Sequence, residues 1–243
     1  MDKNKLFFKN IINEGLFLEL EDREIEKLNK FEELFKIYNV HTNLMSKNDL
    51  KIIFEKHIYD SLSFGLFLKK YSFYDKIVKV MDIGTGGGFP SIPLGICFNN
   101  LDILAIDSIA KKIEFINQAI RELELENLKT KCIRIENLPY DLKNSYDMVT
   151  SRALAPLNIL LEYAMPFVKK ESYFVAYKGK HLKDEIFLSK NALKKLNAKI
   201  IDIIDYNLPL ETDYKRHLLI IKKTNETPSQ YPRSYSCIKN NPL

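Results

Sequence analysis

The chain has no tryptophan, only three cysteines, and no apolar run approaching the ~20 residues that a membrane-crossing helix needs. Cys97, Cys132 and Cys237 stand at spacings that match no zinc site, and an odd count makes no disulfide framework. They read as reduced thiols, which points to a cytoplasmic protein that holds no metal. The first residues carry no secretion signal, because Lys3, Lys5, Lys9, Glu14 and Glu19 interrupt every early apolar stretch. Neither sign of charge dominates: 37 Lys and Arg against 32 Asp and Glu leave a net charge of +5. That mild excess suits an acidic partner such as nucleic acid, and equally suits a lysine-rich composition with no such partner.

What is present describes a folded protein. Apolar residues make up 46% and charged residues 28% of 243 residues, the balance of one sizeable domain or of a domain with a small appendage. Fifteen Phe and thirteen Tyr supply the bulky core material that tryptophan does not.

Residues 1–75 read as a helical extension. Ile25, Leu28, Phe31, Phe35 and Tyr38 recur at helical spacing. A break is expected over residues 39–48. Asp49 then stands as an N-cap before the apolar stripe Leu50, Ile53, Phe54, His57, Ile58 and Leu62.

From Lys76 the texture changes. The runs KIVKVMDIG, LDILAIDS, TKCIRIEN, YDMVTSRA and SYFVAYKG read as five strands. Helices are expected from Lys111 to Leu125, from Pro156 to about Val168, and from His181 to Leu196. This alternation predicts a parallel α/β sheet covered on both faces. AKIIDIIDYNL and RHLLIIKK then read as two strands with a loop of residues 209–215 between them. That loop is too short for a crossover helix, so the pair should be antiparallel. Residues 76–223 form the α/β unit, and residues 224–243, with Pro228, Pro232 and Pro242, read as a polar tail.

Gly84, Gly86 and Gly88 follow the first strand and precede a helix that Pro90 or Ser91 could start. Glycine lets a backbone turn tightly and approach a ligand without a Cβ clash. Asp107 closes the second strand. A carboxylate there can accept hydrogen bonds from both ribose hydroxyls, and it can equally cap the helix that begins near Ala110. Strand, glycine turn, helix, strand and acid together favour a nucleoside site. The G-x-G-x-x-G spacing of nicotinamide enzymes fails, because its sixth position is Phe89. The sheet ends in a hairpin instead of a sixth parallel strand. A sulfonium needs no pyrophosphate cradle, and Asp82 near the turn suits a cation or an amino group, or is simply a solvated strand-end acid. The reading is therefore S-adenosylmethionine (SAM), with a nicotinamide-dependent oxidoreductase and a non-catalytic RNA-binding protein as rivals.

For a methyltransferase the absences speak again. Pyrimidine C5 methylation needs a cysteine nucleophile, and none of the three cysteines is well placed. After the fourth strand, where exocyclic-amine enzymes carry an Asp/Asn-Pro-Pro-Tyr motif, this chain has SRALAP. A ring nitrogen or a hydroxyl is left as acceptor. His57, close to Asp60 on one helix, reads either as an orienting group or as a half-buried helix histidine. Arg152 reads as a site residue or as a surface ion pair. Arg233 and Lys239 in the tail could follow an RNA backbone, or belong to a disordered end.

Several segments resemble one family. YNVHTNLMS, KHIYDSLS, MDIGTGGGFPSIPLGI, DSIAKKIEFI, TSRALAPL, the KG after the fifth strand, RHLLIIKK and the YPR…PL ending resemble, in order and spacing, the ribosomal RNA small subunit methyltransferase G family, also called glucose-inhibited division protein B. Ser91, and Ala110, stand where that family usually has glycine.

The resemblance implies a class I SAM-dependent methyltransferase fold, Rossmann-like, with a mostly parallel seven-stranded sheet and a terminal antiparallel hairpin. It implies methyl transfer to N7 of a guanine in bacterial 16S rRNA, with the naked RNA or a small-subunit particle as partner, by a cytoplasmic monomer. By motif, Gly84, Gly86 and Phe89 would contact SAM and Asp107 would hold its ribose. Ile135 and Glu136 would flank the adenine. Arg152 would lie beside the methionine part or the target base, and Lys178 at the pocket edge.

Overall fold

The computed structural model describes residues 3–42, 44–209 and 211–243, with the side chains of residues 3–7 and 211–214 outside the description. Two helices come first, α1 (Lys3–Leu16) and α2 (Asp22–Thr42). A 3₁₀ turn at Asp49–Ile52 and a wide π-helical turn at Ile53–Ile58 then lead into α3 (Tyr59–Leu62) and α4 (Phe64–Lys70). The α/β unit follows as β1 (Val78–Ile83), α5 (Ser91–Cys97), β2 (Leu101–Asp107), α6 (Ala110–Leu123) and β3 (Leu128–Cys132). It continues with β4 (Tyr146–Arg152), α7 (Leu157–Ala164), β5 (Val168–Lys178), α8 (Leu182–Leu188) and α9 (Lys190–Lys195). It closes with β6 (Ala198–Leu208), β7 (Glu211–Lys223) and α10 (Tyr235–Asn240).

Seven strands form one sheet in the order β3-β2-β1-β4-β5-β7-β6. The first five pair in parallel, whereas β7 pairs antiparallel with both β5 and β6. The expected hairpin is therefore present. The strand order reverses direction between β1 and β4, and ligands of open α/β sheets bind at that crevice, beyond the strand C-termini.

Successive strand residues point to opposite faces, and this sorts the core in two. Val80, Ile103, Met148, Val175, Leu218 and Ile220 pack with the N-terminal helices, α5 and α6. Met81, Ile106, Val149, Phe174, Leu219 and Ile221 pack with α7 and its neighbours. The same alternation puts Asp82 and Arg152 on the face of the N-terminal helices. That layer is welded to the sheet by aromatic rings. Phe31 and Phe35 of α2, both fully buried, lie 6.3 and 5.3 Å from Phe115 of α6 and 5.2 and 5.4 Å from Phe89. Burying each such ring contributes about 1.5–3 kcal/mol.

Several expected boundaries shift. Helix α2 does not break at Asn39. It runs to Thr42, and the buried Asn39 amide clamps the following loop, donating to Met45 O at 3.0 Å and accepting from Met45 N at 2.8 Å. Asp49 is not an N-cap. It sits inside the 3₁₀ turn, where its N–H donates to Ser46 Oγ at 3.2 Å. Strand β3 ends at Cys132, and Ile135–Asn137 form a 3₁₀ turn instead of more strand. Helix α7 ends at Ala164, and β5 starts earlier than expected. The helix after β5 splits at Ser189, whose Oγ donates to Glu185 O at 2.7 Å.

The last residues are not a free tail. Tyr231, Ile238 and Leu243 are buried in the α7-side core. Arg233 grips the fully buried Glu162 of α7 through Nε at 2.7 Å and Nη2 at 2.6 Å, so its charge is paired within the chain. Three apolar residues scattered among prolines and polar groups leave no periodic signal in the sequence. Lys223, fully buried, donates to Asn144 Oδ1, Met165 O at 3.0 Å and Val168 O at 2.8 Å, and burial pulls its pKa down to about 8.

Candidate functional site

The chain leaves β1 through three glycines in left-handed backbone, Gly84 at φ 74°, Gly86 at 60° and Gly88 at 88°. A side chain at Gly84 would strike Leu154, and one at Gly88 would strike Ile92. Backbone bonds fix the turn to the second strand: Gly84 N and Thr85 N both donate to Ile106 O, at 2.8 and 2.9 Å. Asp107 adds a side-chain staple. Its Oδ2 accepts from Gly86 N at 3.0 Å and its Oδ1 from Ile109 N at 2.9 Å, with Lys112 Nζ 3.5 Å away. Asp107 thus does not cap α6, whose N-cap is Ile109.

Beside this turn lies a cavity of about 140 Å³, several times the ~30 Å³ share of one water. Gly84, Asp107, Ile135 and Glu136, four of the residues picked out in the sequence, line it together with Leu154, Tyr163 and Tyr235. Glu136 Oε1 is buried there without a hydrogen-bond partner, and Arg134 Nη1 is 3.8 Å away. An unsatisfied buried acceptor costs about 1–3 kcal/mol, so a ligand N–H at this point would relieve it. Burial, reinforced by the nearby Glu136, pushes the Tyr163 hydroxyl up to about 12.

Gly86, Phe89 and Arg152 are not among the residues lining that cavity. Gly86 is coupled to it through Asp107. Phe89 is packed beneath the N-terminal layer, its ring 5.5 Å from that of His57 and 5.7 Å from the Arg152 guanidinium.

Arg152 opens onto a second hollow of about 790 Å³, lined also by His57, Asp60, Tyr177, Lys178 and Glu185. Leu154 belongs to both cavities and forms the partition between them. Arg152 is no surface ion pair. Its Nε lies 2.8 Å from Asp60 Oδ2, its Nη1 donates to His57 O at 3.2 Å, and its Nη2 meets His57 Nδ1. Asp60 is buried and also accepts from Tyr206 Oη at 2.5 Å. Burial, reinforced by the Arg152 charge, pushes the His57 pKa down to about 3, so the ring is neutral and Nδ1 is the acceptor. Its Nε2 is buried without a hydrogen-bond partner, 3.8 Å from Asp49 Oδ1. The π-helical turn widens the chain at this histidine, a distortion common at functional sites.

Asp82, singled out beside the turn, and Glu185, for which the sequence gives no signal, also belong to these surroundings. Asp82 is not solvated but fully buried, and burial pushes its pKa up to about 6. Ser91 donates to its Oδ2 and is 2.8 Å from Thr85 Oγ1, while Asp82 Oδ1 is left without a partner. Ser91 therefore holds the buried acid. Glu185 accepts from Lys178 Nζ at 2.6 Å and from Leu157 N at 2.8 Å, joining β5, α7 and α8 at the rim. Burial lowers the Lys178 pKa. Arg152 itself is signalled by the SRALAP segment, and its partners only by the helical spacing of His57 and Asp60. Lys111 Nζ donates to Thr42 O at 3.0 Å, tying α6 to the end of α2.

Among the described residues no group of three or more His, Cys, Asp or Glu could hold a metal ion. No helix there is long and apolar enough to cross a membrane.

Residues 24–218 match the family model described as rRNA small subunit methyltransferase G. The ribosomal RNA small subunit methyltransferase G of Acetivibrio thermocellus is 37% identical over 248 residues, covering 100% of both chains. That of Clostridium botulinum is 36% identical, covering 93% of each. Among solved structures, a mutant of the 16S rRNA (adenine(1408)-N(1))-methyltransferase from Catenulisporales acidiphilia, with cosubstrate SAM, is similar with a TM-score of 0.51. It is 12% identical, with 65% of this chain and 91% of that one covered, a likeness of fold.

Proposed function

The chain belongs to the rRNA small subunit methyltransferase G family, and from that membership we propose that it transfers a methyl group from SAM to N7 of a guanine in 16S rRNA. The observation that carries this reading is the pair of cavities that share Leu154, one beside the glycine turn and one beside Arg152. The first suits a nucleoside. Asp107 lines it, and Glu136 Oε1 lacks a donor that an adenine amino group would supply. The second is large enough to admit a nucleotide base. Asp82, whose Oδ1 is buried without a hydrogen-bond partner, suits the amino end of the cofactor, and Gly84, Gly86, Phe89 and Arg152 are the further residues assigned to the cofactor.

SAM supplies, when bound, an activated methyl on a sulfonium. A guanine N7 offers a lone pair and carries no proton, so no general base is needed. The residues fit that economy. His57 is neutral and bonded to Arg152, and the Arg152 donors are engaged by Asp60 and His57. The protein's task is then placement, which can supply several kcal/mol, up to ~10. A cytoplasmic monomer acting on naked rRNA or on a small-subunit particle completes the reading, and the net charge of +5 suits either RNA partner.

The test is to incubate the protein with methyl-labelled SAM and with 16S rRNA, free or in small subunits, from cells lacking the gene. Nuclease digestion and mass analysis should then find one new N7-methylguanosine. An unchanged N7-methylguanosine inventory between cells with and without the gene would refute the substrate assignment.

A further inference from the structure

The nucleoside cavity has one wall from an unexpected part of the chain. Tyr235, the first residue of α10, lines it, although its ring remains 46% exposed. The ring is held in place on several sides. The Arg134 guanidinium lies 5.1 Å from its centroid, and Arg134 lines the same cavity one residue before Ile135. On the N-terminal side, Arg233 is anchored on Glu162, with its own N–H donating to Glu162 Oε1 at 3.0 Å. On the C-terminal side, Ile238 is buried at 1% exposure. Lys239 Nζ also lies 5.9 Å from the ring centroid, so two cations flank a half-exposed aromatic ring at the edge of a cavity whose Glu136 Oε1 lacks a hydrogen-bond partner.

We propose that Tyr235 is a cofactor-binding residue, forming an aromatic wall of the SAM nucleoside site and stacking on the adenine, with Arg134 packed against its ring. This rests on the reading of the cavity given under Proposed function. It extends that reading to the last residues of the chain, which belong to no motif of the glycine turn. A base has a π-face whatever its edges carry, so the contact adds affinity for the nucleoside and leaves the acceptor untouched.

The chain contains no tryptophan, which supplies a direct probe. Tyr235→Trp introduces a single indole at the proposed wall, and its emission should be quenched as S-adenosylhomocysteine is titrated in. By calorimetry Tyr235→Ala should bind S-adenosylhomocysteine about tenfold more weakly, within the range for removing one base-stacking ring, and Tyr235→Phe should restore it. Methyl transfer by Tyr235→Ala should show a raised KM for SAM with kcat nearly unchanged. Its melting temperature should stay within about 2 °C of the parent, as expected for a half-exposed ring. If Tyr235→Ala binds as tightly as the parent, or the indole emission does not move at saturating ligand, the proposal is overturned. If the parent itself binds no S-adenosylhomocysteine, the reading of the cavity fails first and the proposal falls with it.

Discussion

Arg152 Nε stands 2.8 Å from Asp60 Oδ2, so the side chain of the last residue of β4 is held by the N-terminal helical layer. Both side chains are largely buried, at 12% and 4% exposure. Removing either end leaves the other charge stranded, and the two removals differ in what they report. Asp60→Ala should lower stability by about 3 kcal/mol, read by urea denaturation. Arg152→Ala should lower kcat for methyl transfer by about 100-fold, the scale expected when a positioning group is lost. Full turnover in Arg152→Ala would remove Arg152 from the site.

Asp82 and His57 make opposite contributions to the pH dependence of stability. The folded-state pKa of Asp82, about 6, lies above its ordinary 3.8, so its contribution is greatest below pH 4 and is lost as pH rises to about 6. The folded-state pKa of His57, about 3, lies below its ordinary 6.5. Its contribution is therefore full above pH 6.5 and is lost as pH falls towards 3. The two effects, each on the order of 3–5 kcal/mol, oppose one another between about pH 4 and 6. Denaturation across that window should show a steeper rise of stability with pH in Asp82→Asn than in the parent, and a shallower one in His57→Gln. Identical slopes in all three proteins would contradict both assignments.

Glu162 is fully buried and Arg233 is its partner. Arg233→Ala leaves a carboxylate in the α7-side core and should cost about 3–5 kcal/mol in urea denaturation. Replacing both, as Glu162→Leu with Arg233→Met, should recover most of that loss, because an apolar pair carries no desolvation penalty.

Gly84→Ala forces a Cβ to within 2.7 Å of Leu154 at a φ of 74°. Leu154 is the partition between the two cavities, so the variant should weaken S-adenosylhomocysteine binding about tenfold or more, measured by calorimetry, since a left-handed non-glycine residue alone costs about 1–3 kcal/mol. Unchanged affinity would show that the partition yields without disturbing the cavity.

Much of this molecule is legible in the chain. The five β-rich runs, the glycine turn and the acid closing the next strand carry strong local patterns, and the short connection before RHLLIIKK forces an antiparallel pairing. Gly84, Asp107, Ile135 and Glu136 come together around one cavity for a related reason: each stands at or just beyond a strand end, where position follows from topology. Phe89 and Arg152 are harder to read. Their surroundings are set by α2 and by the π-helical turn, and no spacing within β1 or β4 reports what packs over them. Asp82 has the pattern of a strand-end acid, and only the arrival of Ser91 and the helical layer buries it. The C-terminal residues look like a tail because their three apolar anchors lack any period.

The ring cluster of Phe31, Phe35, Phe89 and Phe115 also sets an order of events during synthesis. Phe31 and Phe35 leave the ribosome long before Phe115 exists, so helix α2 has no finished surface to dock on while β1 and the glycine turn are being made. Phe115 packs on both Phe31 and Phe35, so the four-ring cluster is complete only once α6 has emerged. The cavity beside the turn is completed later still, because Tyr163 and Tyr235 also line it.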